Sequence, residues 1–398
     1  KLELHMFKKF LDLGEQPLAN SFIKKKNFHK KEKKFKLKVG FNKKNFLVSI
    51  INKVPKNLMF NEKYPYRSSQ SKTMKIEFKK LANKIKKKFN PKLIIEIGSN
   101  DGAFIKHFNK EKVIGIEPCA NLAKITKKLK YKTLQKYWNT QLANKIAKKK
   151  KADIIYSANT LSHIENLNEV FKAINITLSD KGILILEDPS LFECVKKNAY
   201  DQFYCEHIYV FSSIAIQKFI SEYNLEIFDI ENLDTHGGSN RYYIKKKINK
   251  SYKINKNVRK EIQKELKYGL DKYTTFKKFA RNVVKSKIDL LKILKELKRK
   301  KIKVMGYGAT AKASTVLNFC KINNKLIEYF MDTTPEKINK YMPGSKIFIK
   351  KYNQLDKKKV DVAYLGAWNF KKEIFKKEKR FISKGGIFLT HIPKPRLV

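Results

Sequence analysis

The stretch Lys92 to Phe104, KLIIEIGSNDGAF, decides the fold class of this chain. Its apolar run, Leu93 to Ile97, stands between a proline and a glycine, which is typical of a strand buried on both faces. A polar, glycine-rich loop over residues 98–102 follows, and a helical pattern resumes over residues 103–108. Strand, glycine-rich turn and helix bring backbone N–H groups close to a ligand in doubly wound α/β folds.

A second strand with an acidic end follows about twenty residues later. Val113 to Ile116 is apolar and is followed directly by Glu117. A carboxylate at the tip of the second strand suits the hydroxyl groups of a ribose. The spacing therefore indicates a nucleoside cofactor, while a turn that serves only packing stays open as the alternative. The loop lacks the GxGxxG spacing of dinucleotide folds, which argues against NAD.

The strand pattern repeats along the chain and predicts an α/β protein. Further strands are expected at 153–157, 182–187 and 225–230, with helices between them, and this alternation predicts a parallel sheet. Residues 251–300 form a helical bridge with an apolar stripe. A second strand, glycine-rich turn and helix begins at Lys303, and 327–330 followed by Asp332 repeats the acidic tip.

The pattern of the first 75 residues predicts short, irregular elements. LDLGEQPLANSF, from Leu11 to Phe22, has the glycine and proline punctuation of a loop-rich module. Two strands are expected nearby, at 35–39 and 46–51, and a helix is expected over 75–89.

The formal net charge of +54 raises the question of nucleic-acid binding. Only seven of the 90 basic residues are arginine, the residue preferred for reading phosphates and guanine edges. The lysines are spread over the whole chain, together with many asparagines and isoleucines. Codon bias explains this pattern without a function, so we expect no specific nucleic-acid partner. Weak attraction of polyanions remains expected.

The four cysteines are far apart and form no CxxC pair, which favours free thiols in a reducing cytosol. No apolar run approaches the roughly 18 to 20 residues that span a membrane. We therefore expect a cytoplasmic protein with no membrane partner. The oligomeric state stays open.

A cluster of ionisable side chains lies in Asp201 to Ser212, DQFYCEHIYVFS. It places Tyr204, Glu206 and His207 within four residues, and an imidazole has the pKa that suits proton transfer near neutral pH. A hydrogen-bonded core patch is the alternative interpretation.

Two glycine-rich segments are candidates for anion binding. In THGGSNR, paired glycines are flanked by His236, Ser239 and Arg241, and in GYGATAK the glycines precede a helix with Lys312 as a counter-charge. A purely structural turn is the alternative for both.

Taken in order, ten strings resemble the sugar C-methyltransferase family over nearly the whole chain. They are LDLGEQPLANSF, YPYRSSQSKTM, EIGSNDG, GIEPCANLA, ANTLSHIENL, YCEHIYVFS, THGGSNR, GYGATAK, DTTPEKINKYMPG and AWNF. Members of that family use S-adenosylmethionine to methylate a ring carbon of nucleotide-linked keto-deoxysugars. The resemblance implies a Rossmann-like class I methyltransferase core, a second Rossmann-like domain and a small N-terminal module.

The resemblance also implies boundaries and roles. The expected units are an N-terminal module (1–75), a methyltransferase domain (76–245), a helical linker (246–300) and a C-terminal domain (301–398). The cofactor-binding residues are then Glu96, Gly98, Asn100, Asp101, Gly102, Glu117 and Asn159. The catalytic residues are His207 as base, Tyr204, Glu206 to orient the imidazole, Tyr66 and His163. The sugar-nucleotide side takes His236, Gly237, Gly238, Ser239, Arg241, Gly306, Tyr307, Gly308 and Lys312.

One departure concerns zinc. The family binds zinc through two CxxC pairs, the second of which falls in VGFNKKNFLV, where this chain has Asn42 and Asn45. The first pair falls around or before Lys1. Amides are poor replacements for thiolates, so we expect no bound metal.

The resulting expectation is a methyltransferase that acts on a nucleotide-linked ketosugar through a base-generated enolate. An RNA or other small-molecule methyltransferase, or a family member that binds without turnover, is the alternative. Neither the nucleotide base, the sugar nor the methylated carbon follows from the sequence.

Overall fold

The computed structural model describes residues 6–398. These residues form three sheets, of four, seven and eight strands, with helices packed around them. This architecture confirms the predicted α/β class. Within the described range, no helix is both long and apolar enough to cross a membrane. All four cysteines are buried free thiols.

The N-terminal module is more regular than its sequence suggests. Its elements are β1 (Lys8–Pro17), β2 (Ile23–Lys24), β3 (Lys34–Phe41), β4 (Val48–Ile50) and the short helix α1 (Lys56–Met59). The stretch predicted to be loop-rich begins inside β1. Gly14 has φ 73° and lies where the pairing of β1 with β3 shifts register, between Asp12 and Glu15. The glycine that resembled a loop marker therefore accommodates a β-bulge.

The central sheet has the order β11-β12-β9-β8-β5-β6-β7. Its elements are α2 (Lys72–Phe89), β5 (Ile94–Ile97), β6 (Val113–Ile116), α3 (Ala120–Lys128), β7 (Thr133–Leu134), α4 (Thr140–Ala147), β8 (Ala152–Ala158), α5 (Leu167–Thr177), β9 (Leu178–Pro189), α6 (Leu191–Lys196), β10 (Tyr209–Val210), α7 (Ser213–Ser221), β11 (Leu225–Leu233) and β12 (Ser239–Lys246). β10 belongs to the four-stranded sheet, and among the seven strands of the central sheet β12 alone runs antiparallel to the other six. An antiparallel strand inserted near the edge of a parallel sheet is the arrangement of class I methyltransferases.

One helix predicted in this unit is absent. Residues 103–108 contain only a 3-10 turn, Ile105–His107. Ala103, Phe104 and Ile105 are all buried, and they pack in the same cluster as Phe78 of α2. Three consecutive buried side chains leave no polar helix face, so this segment follows the core instead of forming a surface helix.

The helical bridge consists of α8 (Lys256–Tyr268) and α9 (Tyr273–Arg299). The predicted apolar stripe of α9 is buried: Phe276, Phe279, Val283, Leu290, Leu294 and Leu297. The ring of Phe276 lies 4.6 Å from that of Phe41 in β3, measured between centroids. The stripe therefore joins the N-terminal module to the rest of the molecule.

The C-terminal sheet has the order β19-β18-β17-β13-β14-β16-β15-β2. Its remaining elements are β13 (Val304–Tyr307), α10 (Ala311–Cys320), β14 (Tyr329–Asp332), β15 (Lys340–Tyr341), β16 (Phe348–Lys351), β17 (Val362–Leu365), α11 (Lys371–Lys377), α12 (Lys379–Ser383), β18 (Ile387–Thr390) and β19 (Arg396–Leu397). The five strands from β18 to β16 pair in parallel, which gives a second doubly wound unit.

The three units share strands. β2 of the N-terminal module pairs with β15 at the edge of the C-terminal sheet, and β10 of the central unit pairs with β4 of the N-terminal module. The units predicted from the sequence are therefore interlocked rather than joined end to end. Side chains from all three reach one space.

Candidate active site

A cavity of 1380 Å³ lies where the three units meet. The carboxyl ends of β5, β6 and β8 face it from the central sheet, and those of β13 and β14 face it from the C-terminal sheet. Open α/β sheets bind their ligands at this end. Asn20 and Tyr64 close the cavity from the N-terminal side.

Glu117 is the acidic group on the cofactor side of the cavity. One carboxylate oxygen accepts a hydrogen bond from the backbone N–H of Asn100 at 2.8 Å, and the other accepts from the N–H of Cys119 at 2.8 Å. Burial raises the pKa of this carboxyl. The two N–H donors hold the side chain in one orientation, and a carboxylate retains further lone pairs for ribose hydroxyls.

Glu96 lies beside Glu117 and is 4% exposed. Its Oε2 atom has no hydrogen-bond partner within residues 6–398. Burial, followed by the charges of Glu117 and Asp101, raises its pKa. An unpartnered buried carboxyl oxygen that lines a cavity suits a ligand with a donor group.

The loop around these carboxylates needs special backbone conformations. Gly98 has φ 75°, and a Cβ atom there would lie 2.2 Å from the hydroxyl of Thr160. Asn100 and Asn159 have φ 50°, and both line the cavity. Position 98 therefore requires glycine for two reasons: the side chain of Thr160 leaves no room for a Cβ atom, and the backbone has a positive φ.

Asp101 and Gly102 do not line the cavity, contrary to the cofactor role expected of them. The carboxylate of Asp101 accepts hydrogen bonds from the backbone N–H and the hydroxyl of Ser69. A Cβ atom at Gly102 would lie 2.7 Å from Thr126. Both residues shape the loop instead.

Tyr204 and His207 form a hydrogen-bonded pair that faces the cavity. The phenol oxygen lies 2.7 Å from Nε2 of the imidazole, and Nδ1 lies 2.9 Å from the backbone oxygen of Gln202. A carbonyl only accepts, so Nδ1 carries the ring proton and Nε2 offers a lone pair. The phenol therefore donates to Nε2.

Burial is the main reason why the pKa of His207 is well below its usual value, and the nearby Lys312 ammonium further disfavours a proton on the imidazole. A base accepts a proton only when it is neutral. Protonation therefore stops the reaction only below the usual histidine pKa of about 6.5. We expect kcat/KM for the methyl acceptor to be insensitive to this group at pH 7, with its acid limb below pH 6.5. A pH–rate profile with the limb at or above pH 7 contradicts this.

Glu206 does not orient the imidazole, contrary to expectation. Its Oε1 accepts from the side-chain amide of Asn20 at 2.6 Å, and its Oε2 accepts from the hydroxyl of Tyr64 at 2.9 Å. Burial raises the pKa of Glu206 to about 7. The carboxyl lies behind these two cavity-lining residues and ties the catalytic segment to the N-terminal module.

His163 and Tyr66 both line the cavity, as expected. The ring of His163 stacks on Phe60, 5.4 Å between centroids, and lies 5.1 Å from the ring of His207. Burial lowers the pKa of His163 to about 4. Two neutral imidazoles therefore lie side by side at neutral pH.

Of the residues expected on the sugar-nucleotide side, four line the cavity: His236, Tyr307, Gly308 and Lys312. Lys312 is largely buried, and burial lowers its pKa to about 8. Its Nζ donates to the backbone oxygen of His236 at 3.2 Å. A cation is thus held at this end of the cavity.

The other five residues lie elsewhere. Gly237, Gly238 and Gly306 serve packing, because a Cβ atom there would lie within 2.3–2.6 Å of Trp368, Glu193 and Phe330. Ser239 donates to the backbone oxygen of Thr235. Arg241 is 4% exposed and pairs with Glu187 at 2.9 Å and Glu231 at 3.1 Å. Its guanidinium is therefore committed to the central sheet, not to a substrate.

Sequence reasoning missed Asn20, Tyr64 and Gln202. Asn20 and Tyr64 belong to strings that carried the family resemblance, so their chemistry could have been considered. Their contact with Glu206, more than 140 positions away, depends on the folded chain. Gln202 carried no sequence signal, because its backbone oxygen makes the decisive contact.

Three family models match the chain. A methyltransferase domain matches residues 66–230, a C-methyltransferase C-terminal domain matches residues 234–393, and a putative zinc binding domain matches residues 4–60. The chain is an S-adenosylmethionine-dependent methyltransferase. The matched C-terminal model supports carbon methylation and leaves the methyl acceptor open.

Among curated proteins, the C-methyltransferase NovU of Streptomyces niveus is 26% identical over 98% of this chain and 93% of its own length. Among solved structures, DesVI of Streptomyces venezuelae aligns over 29% of this chain and 51% of its own, with 14% identity and a TM-score of 0.25. An S-adenosylmethionine-dependent methyltransferase from Clostridium acetobutylicum aligns over 43% of this chain and 91% of its own, with 11% identity and a TM-score of 0.33. These TM-scores are low, and the fold assignment rests on the strand order.

The described residues of the N-terminal module, from residue 6 onward, do not fit zinc. Oδ1 of Asn42 accepts from the backbone N–H groups of Lys44 and Asn45, and Oδ1 of Asn45 accepts from the N–H of Leu47. No group of three or more His, Cys, Asp or Glu side chains that could hold a metal occurs from residue 6 onward. The turn between β3 and β4 is closed by amide side chains.

We therefore predict that the purified methyltransferase contains well below one zinc per chain, and that a chelator leaves its melting temperature unchanged. Asn42→Ala should lower the unfolding free energy by about 1 kcal/mol per lost hydrogen bond. Elemental analysis and thermal unfolding measure both. Stoichiometric zinc, or unfolding by the chelator, would refute the prediction.

Proposed function

We propose that the methyltransferase transfers a methyl group to a ring carbon of a nucleotide-diphosphate-linked ketosugar. The observation that carries this proposal is the placement of the Tyr204–His207 pair and Glu117 around one cavity. Carbon methylation requires a base next to the methyl donor, because a sugar carbon is not a nucleophile until a proton is removed beside a ketone. The name of the Streptomyces niveus relative and the matched C-terminal model point in the same direction.

The size of the cavity supports two ligands. A pocket for one small molecule usually measures about 300–1,000 Å³, whereas this cavity measures 1380 Å³. Glu96, Glu117 and the positive-φ loop residues lie on its central side, and Lys312 with Tyr307 lies on its C-terminal side. We assign the first group to the methyl donor and the second to the sugar nucleotide.

The residues of the central side fit S-adenosylmethionine. Glu117 would hold the ribose hydroxyls, and Glu96, with its unpartnered oxygen, would accept from a donor group of the ligand. When bound, the cofactor supplies an electrophilic methyl group. The part of the protein is to hold donor and acceptor in attack geometry, which is worth several kcal/mol of the barrier.

His207 is the base in this mechanism. The proton on the carbon beside the ketone passes to the phenol oxygen of Tyr204 as the phenol proton moves to Nε2 of His207, 2.7 Å away. The electron pair left on carbon forms the enolate. Its carbon would form the new bond to the methyl group of bound S-adenosylmethionine as the sulfur–methyl bond breaks, with S-adenosylhomocysteine as the leaving group. Lys312, at the C-terminal side, compensates the negative charge of the diphosphate.

An RNA or other small-molecule methyltransferase is the second candidate, favoured by the net charge of +54. It predicts saturable, salt-sensitive RNA binding. A family member that binds both ligands without turnover is a third. The intact Tyr204–His207 pair speaks against the third candidate.

The test is incubation with labelled S-adenosylmethionine and a panel of nucleotide-linked ketosugars, with RNA in parallel. The proposal predicts label in one or more sugar nucleotides and none in RNA. Transfer to RNA alone overturns it. Binding of both ligands without transfer to any acceptor of the panel supports the third candidate.

A further inference from the structure

The imidazole of His207 depends on a neighbour that the sequence did not reveal. Its Nδ1–H donates to the backbone oxygen of Gln202 at 2.9 Å. This contact determines which ring nitrogen carries the proton, because the carbonyl oxygen only accepts. Any movement of the Gln202 peptide therefore releases the ring from its tautomer and from its position beside Tyr204.

The side chain of Gln202 is held in turn by the THGGS segment. Its Nε2 donates to the backbone oxygen of His236 at 2.7 Å, and the same oxygen accepts from Nζ of Lys312 at 3.2 Å. His236 has φ 53°, a left-handed conformation that is unusual for a residue other than glycine. Such a conformation persists only where its surroundings hold it.

The residue before Gln202 is anchored in the C-terminal domain. Oδ2 of Asp201 accepts from the indole N–H of Trp368 at 2.6 Å and lies 3.2 Å from Nε2 of His391. Asp201 and His391 are both fully buried. Gly237 packs directly on the Trp368 ring, where a Cβ atom would come within 2.3 Å. The C-terminal domain therefore holds Asp201 directly through Trp368 and His391, and it reaches Gln202 indirectly, because Lys312 donates to the same His236 oxygen.

From these contacts we propose that Gln202 is a positioning residue, through which the C-terminal domain sets the tautomer and orientation of the His207 imidazole. The proposal rests on the assignment of His207 as base in the proposed function. It gives the C-terminal domain a part in the chemistry besides the binding of substrate. Asp201 and Trp368 hold the backbone that carries the accepting oxygen.

The test uses Gln202→Met in the full-length chain, because methionine keeps the side-chain length and removes the amide donor. Ring-15N histidine NMR reads the tautomer directly, and the His207 signals among the seven histidines are identified by their loss in His207→Ala. We expect the Nδ1–H tautomer in the parent protein and a mixture of tautomers in the variant. Turnover should fall about ten- to hundredfold, with KM for S-adenosylmethionine unchanged.

Tyr273→Phe is the matched control. Its hydroxyl donates to the backbone oxygen of Lys9 at 2.6 Å, a contact between units that lies away from the cavity. It should change neither the His207 signals nor turnover. Trp368→Phe, which removes the donor to Asp201, serves as a second variant if Gln202→Met does not fold, and it should change the same signals.

The outcomes separate this inference from the proposed function. Unchanged His207 signals in a folded Gln202→Met or Trp368→Phe protein overturn the positioning role. Changed signals with unchanged turnover support the placement of the ring and overturn His207 as the base. Transfer of the methyl group to RNA, with changed signals, overturns the proposed substrate and leaves the positioning role standing.

Discussion

Replacing His207 with alanine is expected to reduce turnover by about a hundred- to ten-thousand-fold, the usual contribution of a general base. The imidazole is a neutral acceptor in the cavity, since its Nδ1–H donates to the backbone oxygen of Gln202 and its Nε2 accepts from Tyr204. Affinity for S-adenosylmethionine should stay unchanged, because the hydrogen bonds of His207 go to Tyr204 and Gln202 and not to Glu117, the carboxylate assigned to the ribose. Steady-state kinetics and calorimetry measure the two effects.

His29→Ala provides the control for this variant. His29 is exposed and does not line the cavity, so its removal should leave turnover and cofactor affinity unchanged. Full activity of His207→Ala would show that another group removes the proton. Loss of cofactor affinity together with turnover would place His207 on the donor side of the cavity.

Replacing Glu117 with alanine is expected to weaken binding of S-adenosylmethionine by about ten- to a hundredfold. Hydrogen bonds to a charged group contribute about 1.5–3 kcal/mol, and each 1.4 kcal/mol is tenfold in the dissociation constant. The loss also frees the backbone N–H groups of Asn100 and Cys119. Calorimetric titration measures the affinity, and a melting curve separates this effect from unfolding.

Two variants sharpen the result for Glu117. Glu117→Gln keeps an acceptor oxygen without the charge, so its affinity loss should be smaller than that of alanine. Glu111→Ala removes an exposed carboxylate from the turn before β6 and should have no effect. An unchanged dissociation constant for Glu117→Ala would remove this residue from the cofactor site.

The core of the fold was predictable because its signals are local. The apolar runs of β5 and β6 and the stripe of α9 are properties of neighbouring residues, and burial confirms all three. The helix predicted over residues 103–108 does not form, because three consecutive side chains pack against α2. That packing is a tertiary property with no counterpart in the local pattern.

The sequence motifs predicted which segments line the candidate site, but they did not predict the hydrogen-bond partners of the side chains in those segments. Tyr204, His207 and Glu117 lie where the motifs placed them, on the cavity. Glu206 and Arg241 carry suitable chemistry but are committed to distant partners, Asn20 with Tyr64 and Glu187 with Glu231. Residue type alone does not show which side of a buried ionic group faces a ligand.

The central claim is that the methyl group is delivered to carbon. The most direct measurement is a 13C NMR spectrum of the product formed from 13C-methyl S-adenosylmethionine and a nucleotide-linked ketosugar. We expect the labelled methyl signal at the chemical shift of a methyl group bound to carbon, and no such signal with His207→Ala. A methyl signal at the chemical shift of an O-methyl or N-methyl group would contradict the account.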